Sequence, residues 1–229
     1  MKYVVAAIPS FAWAAFYSAF AYDSDIADND ARLRTLLAST PPQYVFFPHW
    51  RTKVPDDIVR RFECVGFHTA DLPSGRGGSP IQNQIARGVK LTVLTAYRMT
   101  EDVDAGPVYL KRPFSLEGTL PVILERLAVT AAQMAARIIK EGLVPVPQEG
   151  PPSYFKRRRP SDSLIPITAD LERFWDWVRM LDHPDYPAAF IRWGKLRIRF
   201  EEVERGEGGR VGGRFVTEEI REERDDASS

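Results

Sequence analysis

The feature that most constrains the fold is a short apolar run that leads through a glycine-rich loop into a helix start. Residues 64–67 are typical of a strand buried on both faces, and His68 stands at the carboxyl end of that strand. The loop of residues 75–78 contains three glycines, which let the backbone approach a ligand closely and leave amides free to point inward. Ser79 as N-cap and Gln82 three residues later then predict a helix. This succession is typical of an open α/β sheet, which binds ligands at the carboxyl ends of its strands.

A second strand-like segment ends in an acidic loop. Residues 91–99 carry β-branched and aromatic side chains, and Glu101, Asp102 and Asp104 follow them. Two parallel strands ending near each other would bring His68 and Asp104 to one rim, where a carboxylate can orient an imidazole and stabilise its charge. Such a pair can transfer a proton near neutral pH. The alternative is a hydrogen-bonded structural histidine beside an ordinary glycine turn.

These residues resemble the pattern of the folate-dependent formyltransferases, a family that includes methionyl-tRNA formyltransferase and the sugar-amine N-formyltransferases. The matching residues, in order, are His68, Leu72-Pro73, Arg76-Gly77, Pro80-Ile81 and Asp104-Ala105-Gly106. Weaker similarity extends to residues 44–55 and 184–191. The resemblance implies an α/β fold with a Rossmann-like, mostly parallel sheet flanked by helices. It also implies 10-formyltetrahydrofolate as the formyl donor and no metal.

The resemblance also implies roles for individual residues. His68 stabilises the oxyanion and delivers a proton to the leaving folate nitrogen, while Asp104 orients His68 and accepts the proton of the attacking amine. The residues expected to bind the folate are Pro48, His49, Trp50, Lys53, Arg76, Gly77, Glu101, Asp102 and Val103. Those expected to bind the acceptor are Asp71, Gly78 and Gln82. For the aromatic and basic segment 46–53, a buried aromatic patch with an exposed basic flank is an equal alternative.

One departure from the family pattern affects the predicted chemistry. The family has an asparagine two residues before the histidine, and this chain has Gly66 there. Loss of one oxyanion donor costs about 10²- to 10³-fold in rate. Either another group substitutes, or the enzyme is slow, or the protein is a silent folate- or sugar-binding homologue. The candidate substitutes are the amides of the glycine loop, His49, Gln82 and Asn83.

The composition is that of an ordinary globular protein. The 229 residues include 31 basic and 31 acidic side chains, so no global field attracts a polyanion, and a nucleic-acid partner is not expected. The one cysteine, Cys64, lies in a predicted buried strand and is interpreted as a core residue. No apolar run has membrane-spanning length. We interpret residues 1–20 as a first β-α unit, and we expect a cytoplasmic protein.

The chain is expected to form a catalytic domain over residues 1–150 and a small C-terminal α+β subdomain over residues 151–229 with a frayed tail. In the first part, residues 23–30 are interpreted as a loop, residues 119–141 as a helix and residues 144–152 as a linker. In the second part, a helix is expected at residues 169–181 and strands at residues 190–193 and 196–203.

The favoured function is formyl transfer to a primary amine of an amino sugar, free or nucleotide-linked, and a homodimer is compatible with it. The alternatives are a formyltransferase that acts on methionyl-tRNA or on an amino acid such as a hydroxyornithine. The basic run at residues 156–159 is interpreted as a solvated surface patch, with contact to a phosphorylated or acidic substrate as the alternative.

Overall fold

The structure is a computed structural model that describes residues 3–8, 11, 14–20, 24–39 and 41–220. The chain forms two compact units, Met1–Arg157 and Arg158–Ser229. The expected boundary at residue 150 thus lies seven residues earlier than the division between the units. The predicted frayed tail lies mostly outside the described residues.

A six-stranded sheet forms the centre of the first unit. Its strands lie in the order β2-β1-β3-β4-β6-β7. The strands of this unit are β1 Tyr3–Ala7, β2 Ser24–Ala27, β3 Tyr44–His49, β4 Cys64–His68, β5 Arg76–Gly77, β6 Leu91–Arg98, β7 Val108–Ser115 and β8 Tyr154–Phe155. β1 to β4 pair in parallel, and β6 and β7 add to the sheet in antiparallel fashion. The prediction of an α/β fold with a Rossmann-like, mostly parallel sheet is confirmed.

Helices cover the sheet. They are α1 Ala14–Phe20, α2 Asp30–Ser39, α3 Asp56–Arg61, α4 Pro80–Ile85 and α5 Leu120–Glu141. α5 packs on β3, β6 and β7 through the apolar stripe that the sequence predicts, and Gly142 ends it in the left-handed conformation at φ 57°. Side chains of α2 and α3 form a common core with β1, β3 and β4.

The structure corrects three local predictions in this unit. The acidic segment 23–30 is not simply a loop, because Ser24–Ala27 pairs with β1 as an edge strand and buries Ala27. Ser79 is the N-cap of α4 as predicted, but it makes no side-chain capping hydrogen bond, since its backbone lies in the left-handed region at φ 51°. Residues 144–152 are not a free linker, because Val146 forms a bridge to Val108 of β7.

The second unit is a small α+β unit. Asp170 caps α6 Leu171–Arg179 by accepting a hydrogen bond from the Arg173 amide at 2.8 Å. Strands β9 Phe190–Trp193, β10 Leu196–Arg205 and β11 Val211–Glu219 form an antiparallel sheet in the order β11-β10-β9. The sequence predicts the first two strands, whereas β11 is not among the predicted elements. Among the described helices of both units, none is long and apolar enough to cross a membrane.

Candidate active site

His68 and Asp104 lie side by side in the first unit. His68 Nδ1 is 3.5 Å from Asp104 Oδ2, and the two residues are only 7% and 9% exposed. The other ring nitrogen, Nε2, donates to the Gly75 carbonyl at 2.7 Å, because a carbonyl oxygen can only accept. The neutral ring therefore carries its proton on Nε2 and turns Nδ1 toward the carboxylate. A second proton on Nδ1 would form an ion pair with Asp104.

Asp104 reaches His68 because the loop after β6 folds back. β6 is antiparallel to β4, so its last residue, Arg98, lies near the amino end of β4 and far from His68 in register. The prediction that two parallel strands end together is wrong, and the loop between β6 and β7 makes the contact instead. Gly106 permits this path, since a Cβ there would lie 1.8 Å from the Arg98 carbonyl oxygen. Asp104 itself takes the left-handed conformation at φ 53°.

The amides of the glycine-rich loop are all used within the protein. The amide of Gly75 donates to Ser153 Oγ at 2.9 Å, that of Arg76 to Ser153 O at 2.9 Å, that of Gly77 to Asp104 Oδ2 at 2.8 Å and that of Gly78 to Phe155 O at 3.2 Å. The expectation that these amides point freely at a ligand is therefore wrong. They fasten the loop to the segment around β8 and to Asp104.

The same pairing explains why the loop contains glycines. A Cβ at Gly75 would lie 2.5 Å from Phe155 Cε2, and a Cβ at Gly77 would lie 2.6 Å from the Phe155 carbonyl oxygen. At Gly78 it would lie 2.5 Å from Arg157 Cβ. The glycines let the backbone of β8 approach the loop closely, in the short parallel pairing of β5 and β8. The close neighbour that the composition indicates is thus protein backbone and not a ligand.

Gln148 connects the two loops of the site, although the sequence gives it no apparent role. Its Oε1 accepts from Arg76 Nε at 3.2 Å and from Arg76 Nη2 at 2.7 Å. Its Nε2 donates to the carbonyl oxygens of Asp104 and Gly106, both at 2.8 Å. Arg76, predicted to bind folate, is thus held against the backbone of the loop that carries Asp104.

A tyrosine fills the position of the missing asparagine. Gly66 pairs with Tyr97 across β4 and β6, and a Cβ at Gly66 would lie 2.7 Å from Tyr97 Cε1. The Tyr97 hydroxyl donates to Asp104 Oδ1 at 2.6 Å. Burial, together with the charge of Asp104 and the bond to it, raises the pKa of the Tyr97 phenol well above its usual value. Asn83, a candidate substitute, instead donates to the Gly78 and Lys156 carbonyl oxygens.

Comparisons with known proteins agree with this fold. Residues 160–217 match the family model of the methionyl-tRNA formyltransferase C-terminal domain. A methionyl-tRNA formyltransferase of Thermobifida fusca is 33% identical over 181 residues, which make up 76% of this chain and 57% of that protein. The solved structure of a methionyl-tRNA formyltransferase from Clostridium thermocellum matches with a TM-score of 0.87 at 34% identity, covering 96% of this chain and 99% of that one. The chain belongs to the folate-dependent formyltransferase family.

The chain covers only part of its curated relative, and its likeness to some solved structures is distant. This chain spans little more than half the length of the curated Thermobifida relative, 57% of it. A 4-N formyltransferase from Francisella tularensis has a TM-score of 0.63 at 13% identity, covering 96% of this chain and 98% of that one. This distant likeness bears on the fold alone.

The segment expected to bind the pterin lies at the end of β3. Pro48 is buried and His49 is half-buried, with the His49 ring stacked on Phe11 at 5.8 Å between centroids. Trp50 packs edge-on against Phe47 at 5.9 Å, so its ring belongs to the core. Lys53 is exposed and forms an ion pair with Asp56 at 2.7 Å. This arrangement resembles the alternative of a buried aromatic patch with a basic flank, and folate binding here stays a prediction.

The remaining predicted binding residues lie in three environments. In the acidic loop, Glu101 is paired with Arg60, while Asp102 and Val103 are exposed. Asp71 is exposed and forms an ion pair with Lys111 at 2.5 Å. Gln82, in contrast, is buried on α4. Of the predicted residues, Gly77 contacts Asp104 directly and Arg76 contacts it through Gln148, while Gly78 lies next to Gly77 in the same loop. Glu101 and Asp71 instead form ion pairs elsewhere on the surface.

Cys64 and the other titratable side chains offer no second reactive centre at the site. Burial raises the pKa of the Cys64 thiol to about 12. This agrees with a core residue rather than a nucleophile. Among the described residues, no group of three or more histidine, cysteine, aspartate and glutamate side chains is arranged to hold a metal ion.

Proposed function

We propose that this chain transfers a formyl group from 10-formyltetrahydrofolate to a primary amine. The observation that carries the proposal is the buried contact of 3.5 Å between His68 Nδ1 and Asp104 Oδ2 in a member of the formyltransferase family. An imidazole beside a carboxylate can accept and return protons near neutral pH, which acyl transfer to an amine requires.

The reaction forms one bond and breaks one. The neutral amine nitrogen attacks the formyl carbon, and the bond from that carbon to the folate nitrogen breaks from a tetrahedral intermediate. The amine loses one proton and the folate nitrogen gains one. Asp104 accepts the proton from the amine and passes it to His68 Nδ1, while His68 Nε2 gives its proton to the folate nitrogen, so both side chains return to their starting states. In this structure His68 Nε2 donates to the Gly75 carbonyl. During the reaction, the formyl oxygen replaces that carbonyl as the acceptor of the Nε2 hydrogen bond.

The residues of the acidic loop suit a folate. Val103 is 56% exposed, and the carboxylate of Asp102 beside it is exposed as well. An apolar side chain next to a carboxylate fits a flat ring with N–H groups on its edge, as in a pterin. Lys53, Arg76 and the residues at the end of β3 are the further proposed contacts.

For the acceptor, the comparisons support methionyl-tRNA better than the amino sugar that the sequence analysis favours. The relatives that are 33% and 34% identical are both methionyl-tRNA formyltransferases. The likeness to the 4-N formyltransferase from Francisella tularensis is far lower, at 13% identity. Methionyl-tRNA is therefore the first candidate acceptor, and a nucleic-acid partner belongs to this proposal.

The charge of residues 160–217 favours a small amine as the second candidate. Residues 160–217 contain nine basic and ten acidic side chains. Several arginines on the sheet of the second unit are paired, for example Arg197 with Glu218 at 3.2 Å and Arg214 with Glu201 at 2.5 Å. A surface neutralised in this way releases few counterions on binding a polyanion. An amino sugar does not need such release.

Acceptor-dependent release of tetrahydrofolate tests the proposal. The protein is mixed with 10-formyltetrahydrofolate and either methionyl-tRNA or a nucleotide-linked or free 4-amino sugar. Faster release with methionyl-tRNA supports the first candidate, and faster release with the sugar supports the second. Folate binding without release in the presence of any acceptor would instead identify a silent homologue.

A further inference from the structure

We propose that Tyr97 is the positioning residue of this site, with its hydroxyl holding Asp104 against His68 in the space that an asparagine at position 66 would occupy. The inference rests on the proposed formyl transfer, which it deepens. It assigns a function to the one departure from the family pattern.

Gly66 and Tyr97 exclude each other sterically. They are direct partners across β4 and β6. A Cβ on Gly66 would lie 2.7 Å from Tyr97 Cε1, 2.8 Å from Cζ and 2.9 Å from the hydroxyl oxygen. Any larger side chain at position 66 would have to displace the ring. The Tyr97 ring can therefore occupy this position only because residue 66 has no side chain.

Asp104 needs to be held from outside its own loop. It has a left-handed φ of 53°, a conformation that residues other than glycine adopt uncommonly. Its carboxylate is fixed at both oxygens, with Tyr97 donating to Oδ1 at 2.6 Å and Gly77 donating to Oδ2 at 2.8 Å. Only the first donor comes from the central sheet. The direction of Asp104 toward His68 thus depends on Tyr97.

Tyr97 is suited to hold a carboxylate and unsuited to exchange protons. The residue is 4% exposed and packs in a cluster with Leu72 and Val108, which fixes the ring. Its pKa is raised well above the usual value by burial and by Asp104. The hydroxyl therefore stays protonated and remains a donor near neutral pH. It acts through Asp104 and is not itself a catalytic group.

The first test removes only the hydroxyl. Tyr97→Phe keeps the ring volume, so we expect the fold and the KM for 10-formyltetrahydrofolate to stay unchanged. We expect kcat to fall by about tenfold to a hundredfold, the effect of losing one hydrogen bond to a charged group. The matched control is Tyr109→Phe, since the Tyr109 hydroxyl also donates to a carboxylate, that of Glu63, but outside the site. This control should leave kcat unchanged.

The second test moves Tyr97 without removing its hydroxyl. Gly66→Ala adds a methyl group that pushes the ring aside, and it should lower kcat in the same way as Tyr97→Phe. A third readout does not require activity. The chain has three histidines, so the ring nitrogen signals of His68 can be assigned by NMR, and we expect them to shift in both variants and not in Tyr109→Phe.

These readouts separate the inference from the proposed function. If the wild-type protein transfers formyl groups but both variants keep full kcat and unshifted His68 signals, the role of Tyr97 is refuted while the function stands. If the wild-type protein transfers nothing, the function is refuted, and the His68 signals still decide whether Tyr97 holds Asp104. If Tyr97→Phe fails to fold, Gly66→Ala decides by the same two measurements.

Discussion

At the residue scale, the candidate site depends on four residues that contact Asp104, three at its carboxylate and one at its backbone carbonyl. Asp104 is fixed by Tyr97 and Gly77, faces His68 at 3.5 Å and has its carbonyl oxygen bound by Gln148. The sequence predicts His68 and Asp104 because their residue types and spacing carry chemical meaning. It gives no signal for Tyr97 or Gln148, because a tyrosine in a strand and a glutamine in a proline-rich segment are both common.

A prediction at this scale concerns Cys64, whose pKa burial raises from 9.0 to about 12. The folded thiol keeps its proton up to that range, while the unfolded thiol loses it near pH 9. The free energy of unfolding should therefore fall as the pH rises from about 9 to 12, since the unfolded state then binds fewer protons than the folded state. At pH 8 a thiol reagent should label the denatured protein quickly and the native protein slowly. Rapid native labelling would contradict a buried Cys64.

At the element scale, the strands and long helices could be predicted, but the pairing of the strands could not. The apolar run of β4 and the 3.6-residue stripe of α5 are local patterns. The antiparallel pairing of β6 with β4 is a long-range feature that no local pattern encodes. This pairing places Tyr97 opposite Gly66, and the loop that carries Asp104 must fold back toward His68. Likewise, β8 pairs with β5 across more than seventy residues of chain. The glycines therefore indicate a ligand-binding loop from the sequence alone, whereas in the structure the loop packs against another segment of the protein.

The pairing of β5 with β8 can be tested by comparing alanine substitutions at two glycines that both have a positive φ. Gly77 (φ 99°) has the Phe155 carbonyl oxygen 2.6 Å from a Cβ position, whereas Gly88 (φ 78°) has no atom within 4 Å. Gly88→Ala should cost about 1 kcal/mol through backbone strain alone. Gly77→Ala should cost about 2 kcal/mol or more, because the loop must also separate from β8 and from Asp104. Thermal unfolding of both variants measures the difference, and equal losses would show that β5 and β8 do not approach so closely.

At the scale of the whole molecule, the chain combines a catalytic-type sheet unit with a small unit that matches the methionyl-tRNA formyltransferase C-terminal domain. The overall charge balance, 31 basic against 31 acidic residues, could be read from the sequence. The acceptor could not, since the sequence favours an amino sugar and the relatives support methionyl-tRNA. Acceptor choice depends on the shape and local charge of the binding surface rather than on motif spacing.

The charge balance makes a prediction about salt. Proteins that form six to ten phosphate contacts lose about 10³- to 10⁵-fold in affinity between 50 and 200 mM salt. With nine basic against ten acidic residues in 160–217, we expect this chain to lose less than about tenfold in its affinity for methionyl-tRNA over that range. Filter binding or fluorescence titration at a series of salt concentrations measures the slope. A steep slope would mean that a basic surface elsewhere, such as residues 156–159, governs acceptor binding.

The most direct test of the account is acceptor-dependent release of tetrahydrofolate by the wild-type protein, by His68→Ala and by His183→Ala. His183 is the matched control, because its Nδ1 lies 3.7 Å from Asp185 Oδ2 in a second His/Asp pair outside the site. We predict release by the wild-type protein and by His183→Ala, and a loss of about 10²- to 10⁴-fold in His68→Ala. Equal release by all three proteins would contradict the account.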